Sequence, residues 1–132
     1  MNKAELVYRY KTFLHRHGLK PEEVVVGAGG AMLVHGLRKE TADIDAAISP
    51  ELFRSFDGVY PVNHQMSWQR NCSELLLDLH DNLGIQGPTI IIDGVCVDTL
   101  ESILAFKRQL NRNKDQADIA VLEKILNKGE VK

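Results

Sequence analysis

Apolar residues recur at helical spacing from Ala4 to His17, so Leu6, Tyr10, Phe13, Leu14 and His17 share one side and Gly18 follows as a left-handed cap. Val24 to Val26 are β-branched and predict a short central strand. The glycines of Gly27-Ala28-Gly29-Gly30 break it. Ala31 to Leu37 then predicts a short helix that Gly36 ends early. Ala42 to Ile48 reads as the second strand, followed by a helix capped by Ser49, opened by Pro50 and running to about Phe56. Asp57-Gly58 turns the chain, and Tyr60 to Gln69 carries no clear period, reading as a short strand and a loop. Glu74 to His80 is the third firm strand. Asp81 to Pro88 is loop, and Thr89 to Ile92 with Val95 to Val97 form a hairpin about Asp93-Gly94. Asp98 or Thr99 caps a helix through about Leu110, with Glu101 placed to close a capping box on Asp98. Asn111 to Asn113 interrupts it, Asp115 to Leu126 forms the last helix, and Gly129 to Lys132 is expected to fray. Helices before, between and after the strands predict a single α/β (α+β) domain over residues 1–132, with a helical C-terminal part from about 99–126.

Composition narrows the setting more than the function. The 132 residues are 44% apolar and 26% charged, enough for one core. A formal net charge of −2 gives no electrostatic footprint for wrapping duplex nucleic acid. Two cysteines, Cys72 and Cys96, are too few for a disulfide framework and predict free buried thiols in a reducing compartment. With His64 and His80 they make no zinc spacing. The start MNKAELVYRY lacks a signal peptide's apolar run, and no apolar segment is long enough to span a bilayer. The expectation is a cytoplasmic protein with no membrane partner.

The chemistry concentrates between Gly27 and Ile48. Asp43 and Asp45 are two apart on a predicted strand, so both carboxylates leave one face while Ile44 points into the core. Such a pair repels unless a cation compensates, and paired oxygens suit Mg²⁺ or Mn²⁺. A solvated strand face is the plainer alternative. The Gly-rich turn after a strand and before a helix offers bare backbone amides to a phosphate, or answers only a backbone need for φ > 0. It is neither a dinucleotide fingerprint nor a P-loop. A third carboxylate, Asp78, stands in the apolar run LLLDLH, on the same side as His80. Burying it unpaired is costly unless its strand lies beside Asp43 and Asp45, although an edge strand facing water would also tolerate it.

These residues resemble the nucleotidyltransferase-fold superfamily, the polymerase-β-like group that includes small bacterial nucleotidyltransferases and related toxin–antitoxin and phage-defence proteins. Ala28-Gly29-Gly30 matches the first part of its signature and Asp43-Ile44-Asp45-Ala46 the second, with Asp78 as the third carboxylate. HGLRKETADID is similar to the form that carries a hydroxyl two residues before the first aspartate, here Thr41. The tail, through Ser102, Lys107, Arg112, Lys114, Asp115 and Asp118, is similar to that of small members. Gly30 stands where relatives alternate glycine and serine, and Ala42 where many carry a basic residue.

The resemblance implies a mixed β-sheet flanked by helices and metal-dependent transfer of a nucleoside monophosphate from an NTP to a hydroxyl. Asp43, Asp45 and Asp78 would be the catalytic and metal-binding residues, with Mg²⁺ or Mn²⁺ as cofactor. Gly29, Gly30, Arg38, Thr41 and Lys107 would contact the nucleotide, although a snorkelling lysine and a solvated arginine are the plain alternatives for Lys107 and Arg38. The acceptor could be a protein hydroxyl, a small molecule or an RNA end, and a protein partner is possible. The oligomeric state and the base are open. The alternative is a catalytically silent member serving as a nucleotide-binding or protein-interaction module. His80 is expected to touch substrate or Asp78, and Trp68 to anchor the core or stack a base.

Overall fold

The computed structural model describes residues 1–83 and 87–130. A six-stranded mixed sheet is built from β1 (Val25–Val26), β2 (Ile44–Ile48), β3 (Gln69–Cys72), β4 (Leu77–Asp81), β5 (Thr89–Ile92) and β6 (Val95–Asp98). Its spatial order is β3-β4-β2-β1-β6-β5. β1 runs antiparallel to β2 and parallel to β6, and β2 runs parallel to β4. β3 and β5 close the two edges in antiparallel pairing with β4 and β6. Two residues suffice for β1 because both are buried and both sides are paired.

Helices α1 (Lys3–His17), α2 (Ala28–Val34) and α3 (Pro50–Ser55) flank this sheet, giving the α/β class expected. The Asn2 side chain caps α1 by accepting from the Glu5 amide at 2.9 Å, and Gly18, with φ of 64°, ends it. The predicted face of α1 is buried through Leu6, Tyr10, Phe13 and Leu14. Each of these side chains contributes about 1.5–3 kcal/mol of apolar burial. Tyr10 ties three segments together: its hydroxyl lies 2.8 Å from the Val24 carbonyl and accepts from the Cys96 amide at 3.3 Å. Burial pushes its phenol well above the usual range. α3 is capped by Ser49 with Pro50 in its first turn, as its sequence dictates.

The chain divides into two compact units, Met1–Asp98 and Thr99–Lys132. The second is a helical hairpin of α4 (Leu100–Leu110) and α5 (Gln116–Glu130). Thr99, not Asp98, caps α4, its hydroxyl accepting from the Ser102 amide, so the expected capping box with Glu101 does not form. Asn111 takes the left-handed conformation that ends α4. α5 continues to Glu130, four residues past the expected end, so Gly129 and Glu130, expected to fray, are helical, and residues 131–132 lie outside the described set.

Several boundaries differ from expectation, among them β2, which begins at Ile44 rather than Ala42 and leaves Asp43 just outside it, and α2, which ends at Val34 rather than Leu37. α2 begins at Ala28, so Gly29 and Gly30 form its first turn rather than a loop before it. The expected strand from Glu74 starts only at Leu77, because Ser73–Leu75 is a 3-10 turn and Leu76 turns left-handed at φ 57°. β3 was not legible, since Gln69, Arg70 and Asn71 are poor strand formers. It is held by pairing with β4 and by Arg70, whose buried guanidinium donates to the Phe53 and Tyr60 carbonyls at 2.8 Å each. Within Asp81–Pro88, where a loop was expected, Asp81 completes β4, and residues 84–86 lie outside the described set. Among the described residues no helix is long and apolar enough to cross a membrane.

Candidate functional site

Strand register assembles the site. β2 and β4 pair in parallel with Asp45 directly opposite Asp78, and β3 places Asn71 opposite Asp78 on the other side. Asp43 precedes β2 by one residue, and its neighbour Ile44 is fully buried, which holds the aspartates on the outer side. Carboxylate oxygens of Asp43, Asp45 and Asp78 all lie within 4.8 Å of one another. At that separation each pair of charges repels by roughly 1 kcal/mol in water and about 3 kcal/mol at an effective dielectric of 20. Burial, then the carboxylates of Asp45 and Asp78, push the Asp43 acid above the ordinary carboxylate range, while His80 pulls the other way.

Two neighbours orient the aspartates. The Asn71 amide donates to Asp78 Oδ1 at 2.6 Å, and His80 Nε2 lies 3.0 Å from Asp45 Oδ1. The expected contact of His80 with Asp78 is thus replaced by one across the strand pair to Asp45. Three hard oxygen donors, mutually close and still repelling, fit a divalent Mg²⁺ or Mn²⁺ ion.

The Gly-rich segment meets the cluster through the backbone and through Thr41. The Gly27 amide donates to the Asp45 carbonyl at 2.9 Å, and the Thr41 hydroxyl donates to the Asp43 carbonyl at 3.2 Å. Ala28 sits at φ 51°, a left-handed conformation costly to a residue with a Cβ. A Cβ at Gly29 would stand 2.8 Å from the Arg38 guanidinium and 3.2 Å from the Thr41 hydroxyl. Gly29, Arg38 and Thr41 therefore come together. Gly30 faces inward, where a Cβ would stand 2.9 Å from Val26 and 3.4 Å from Leu6. A side chain there would press on the core.

Lys107 is buried in the α4–α5 hairpin with its ammonium 3.4 Å from Asp115 and 3.2 Å from Asp118. Arg112 also donates to Asp115, at 2.6 Å, and holds that carboxyl below its usual range. The Trp68 indole is 54% exposed, which overturns its expected role as a core anchor.

Beside the aspartates a cavity of about 350 Å³ is walled by Asp43 and Asp78, by Asn63 and Asn71, and by Val62 and Leu76. The Asn63 amide lies 3.4 Å from Asn71 Oδ1, so a hydrogen-bonded file leads from this cavity to Asp78. Sequence reasoning missed both asparagines, because neither carries a motif and β3 is not recognisable as a strand.

A fourth carboxyl, Asp98, ends β6 beside Gly27, its Oδ2 standing 3.3 Å from where a Cβ would be. Its Oδ1 is buried with no hydrogen-bond partner among the described residues, and burial pushes the acid up to about 6. Because the folded value exceeds the ordinary 3.8, Asp98 favours the fold in acid and disfavours it as pH rises from about 4 to about 6. Asp98→Asn is expected to raise stability at pH 7 by about 1–2 kcal/mol, less than the full shift would give because the carboxyl is partly solvated. Thermal denaturation at pH 7 and again near pH 4, where the gain should vanish, checks it.

Cys72 and Cys96 are free and buried, as expected. Comparison with protein-family models, with characterised proteins and with solved structures returns no match.

Proposed function

We propose that this chain is a nucleotidyltransferase-fold enzyme that moves a nucleoside monophosphate from an NTP to a hydroxyl acceptor. The observation that carries the reading is the convergence of Asp43 and Asp45 with the sequence-distant Asp78, all within 4.8 Å of one another. Asp43, Asp45 and Asp78 would hold Mg²⁺ or Mn²⁺, whose chemistry is to neutralise the phosphates and the charge that develops on them. Arg38 and Thr41, gathered over Gly29, supply a cation and a hydroxyl suited to the outer phosphates. In the reaction the acceptor oxygen bonds to the α-phosphorus, the bond to the β-phosphate bridging oxygen breaks, and pyrophosphate leaves. Asp78, oriented by Asn71, takes the acceptor's proton. Free thiols at Cys72 and Cys96 favour a reducing, cytoplasmic setting.

A second reading, a silent nucleotide- or protein-binding member, draws on Lys107, whose charge is engaged by Asp115 and Asp118. Titration calorimetry with NTP and Mn²⁺ separates the two from a bare acidic surface. The expected result is binding by the wild-type chain that Asp43→Asn with Asp45→Asn abolishes. Equal heats from both proteins, or none from the wild type, would reject a nucleotide site here. Binding without turnover on any acceptor would select the second reading.

A further inference from the structure

The cavity of about 350 Å³ opens on Asp43 and Asp78 and not on Asp45, Arg38 or Gly29. It therefore lies to the β3 side of the carboxylates, away from the cation and glycines suited to a triphosphate. Its chemistry is distinctive. Among the described residues that line it there is no lysine or arginine, while two carboxylates form part of its wall. Apart from any ion the carboxylates hold, a phosphate-bearing molecule would find no lysine or arginine there to pair with. Hydrogen-bonding capacity is ample, from Asn63, His64, Asn71 and Ser73.

Part of the lining is apolar and uncovered. Val62 and Leu76 are 39% and 41% exposed, and Leu76 holds φ 57° although it has a side chain that disfavours it. Neither side chain is explained by core packing. A volume near the low end of small-molecule sites suits a single ring rather than an oligomer.

We infer that this cavity is the acceptor site and that it selects an uncharged, polyhydroxylated ring compound, whose hydroxyls meet Asn63 and Ser73 and whose C–H face rests on Val62 and Leu76. The inference rests on the nucleotidyl-transfer reading and names its acceptor class. An RNA 3′ end and a phosphorylated sugar are the acceptors it excludes.

The test uses the full chain with α-labelled NTPs and Mn²⁺. The probes are ribose and myo-inositol, their monophosphates, and a short single-stranded RNA. Label is expected on the uncharged compounds at a rate at least tenfold above that on their monophosphates. Val62→Lys, and independently Ser73→Lys, should shrink or invert that ratio by placing a cation in the cavity. Label on the RNA or preferentially on the monophosphates overturns the inference, as does donor binding with label on none of the probes. Calorimetry of the donor alone keeps the two claims apart. If the wild type binds no NTP·Mn²⁺, the site reading itself fails; if it binds and the label goes to RNA, only the acceptor assignment falls.

Discussion

Asp45→Asn is expected to lower nucleotidyl transfer by about a thousandfold or more and, at the same time, to make the folded protein more stable. The two directions have one cause. Asparagine keeps the shape of aspartate and can still accept from His80, whose Nε2 lies 3.0 Å from Asp45 Oδ1. It removes a charge that stands opposite Asp78 in the strand register and close to Asp43. Relief of that repulsion is worth on the order of 1 kcal/mol without a bound cation, and the raised Asp43 acid should fall toward its ordinary value. Loss of a metal ligand removes several kcal/mol of transition-state stabilisation, and about 4 kcal/mol corresponds to a thousandfold. A functional site built against stability shows this opposition. A solvated strand face would show the gain in stability without the loss of transfer. Labelled-NTP turnover and thermal denaturation of the same two proteins decide it. Undiminished transfer, or a variant less stable than the wild type without metal, counts against the site.

Much of this was legible because the relevant signals are local. The α1 face, the Asp93-Gly94 hairpin, the Ser49-Pro50 helix start and the β-branched run at Val24 each follow from a few adjacent residues. Asp43, Asp45 and Asp78 could be singled out because charge in an apolar strand is costly, and their convergence is what that cost anticipates. What escaped depends on partners distant in sequence. β3 has no apolar alternation and exists because β4 and the Phe53 and Tyr60 carbonyls hold it. Asn71 acquires its place beside Asp78 only through that strand. The contact of His80 with Asp45 escaped because spacing along β4 says nothing of β2, which it meets across the parallel pair. Lys107 has apolar neighbours at helical spacing, yet its partners Asp115 and Asp118 lie beyond a turn.

The same contrast runs through the charges. Arg38 stands near the glycine segment and Asp43 and Asp78 line the β3 cavity, and on the proposed reading this separates a side for the triphosphate from a side for the acceptor. The division is produced by topology. β1, ending in the glycines, and β4, bearing Asp78, lie on opposite sides of β2, so the carboxylates of β2 stand between them.

Gly29→Ala and Gly30→Val are expected to fail in opposite ways although the residues are adjacent. At Gly29 the first atoms a Cβ would meet are the Arg38 guanidinium at 2.8 Å and the Thr41 hydroxyl at 3.2 Å. The far end of an arginine moves at little cost, and alanine is the better helix former by about 1 kcal/mol, so the fold should be unharmed. NTP affinity should fall about tenfold, because the displaced cation is the one suited to the phosphates. At Gly30 the obstacle is core: Val26, a β1 side chain with no exposure, at 2.9 Å, with Leu6 of α1 behind it at 3.4 Å. β1 is paired on both sides and cannot yield, so valine there should cost about 2–3 kcal/mol by overpacking. Donor affinity of the fraction that stays folded should change little. Denaturant unfolding and NTP·Mn²⁺ calorimetry on both variants read the two effects separately. Loss of affinity at Gly30 with stability intact would reverse the assignment, making Gly30 the phosphate contact and Gly29 a spacer.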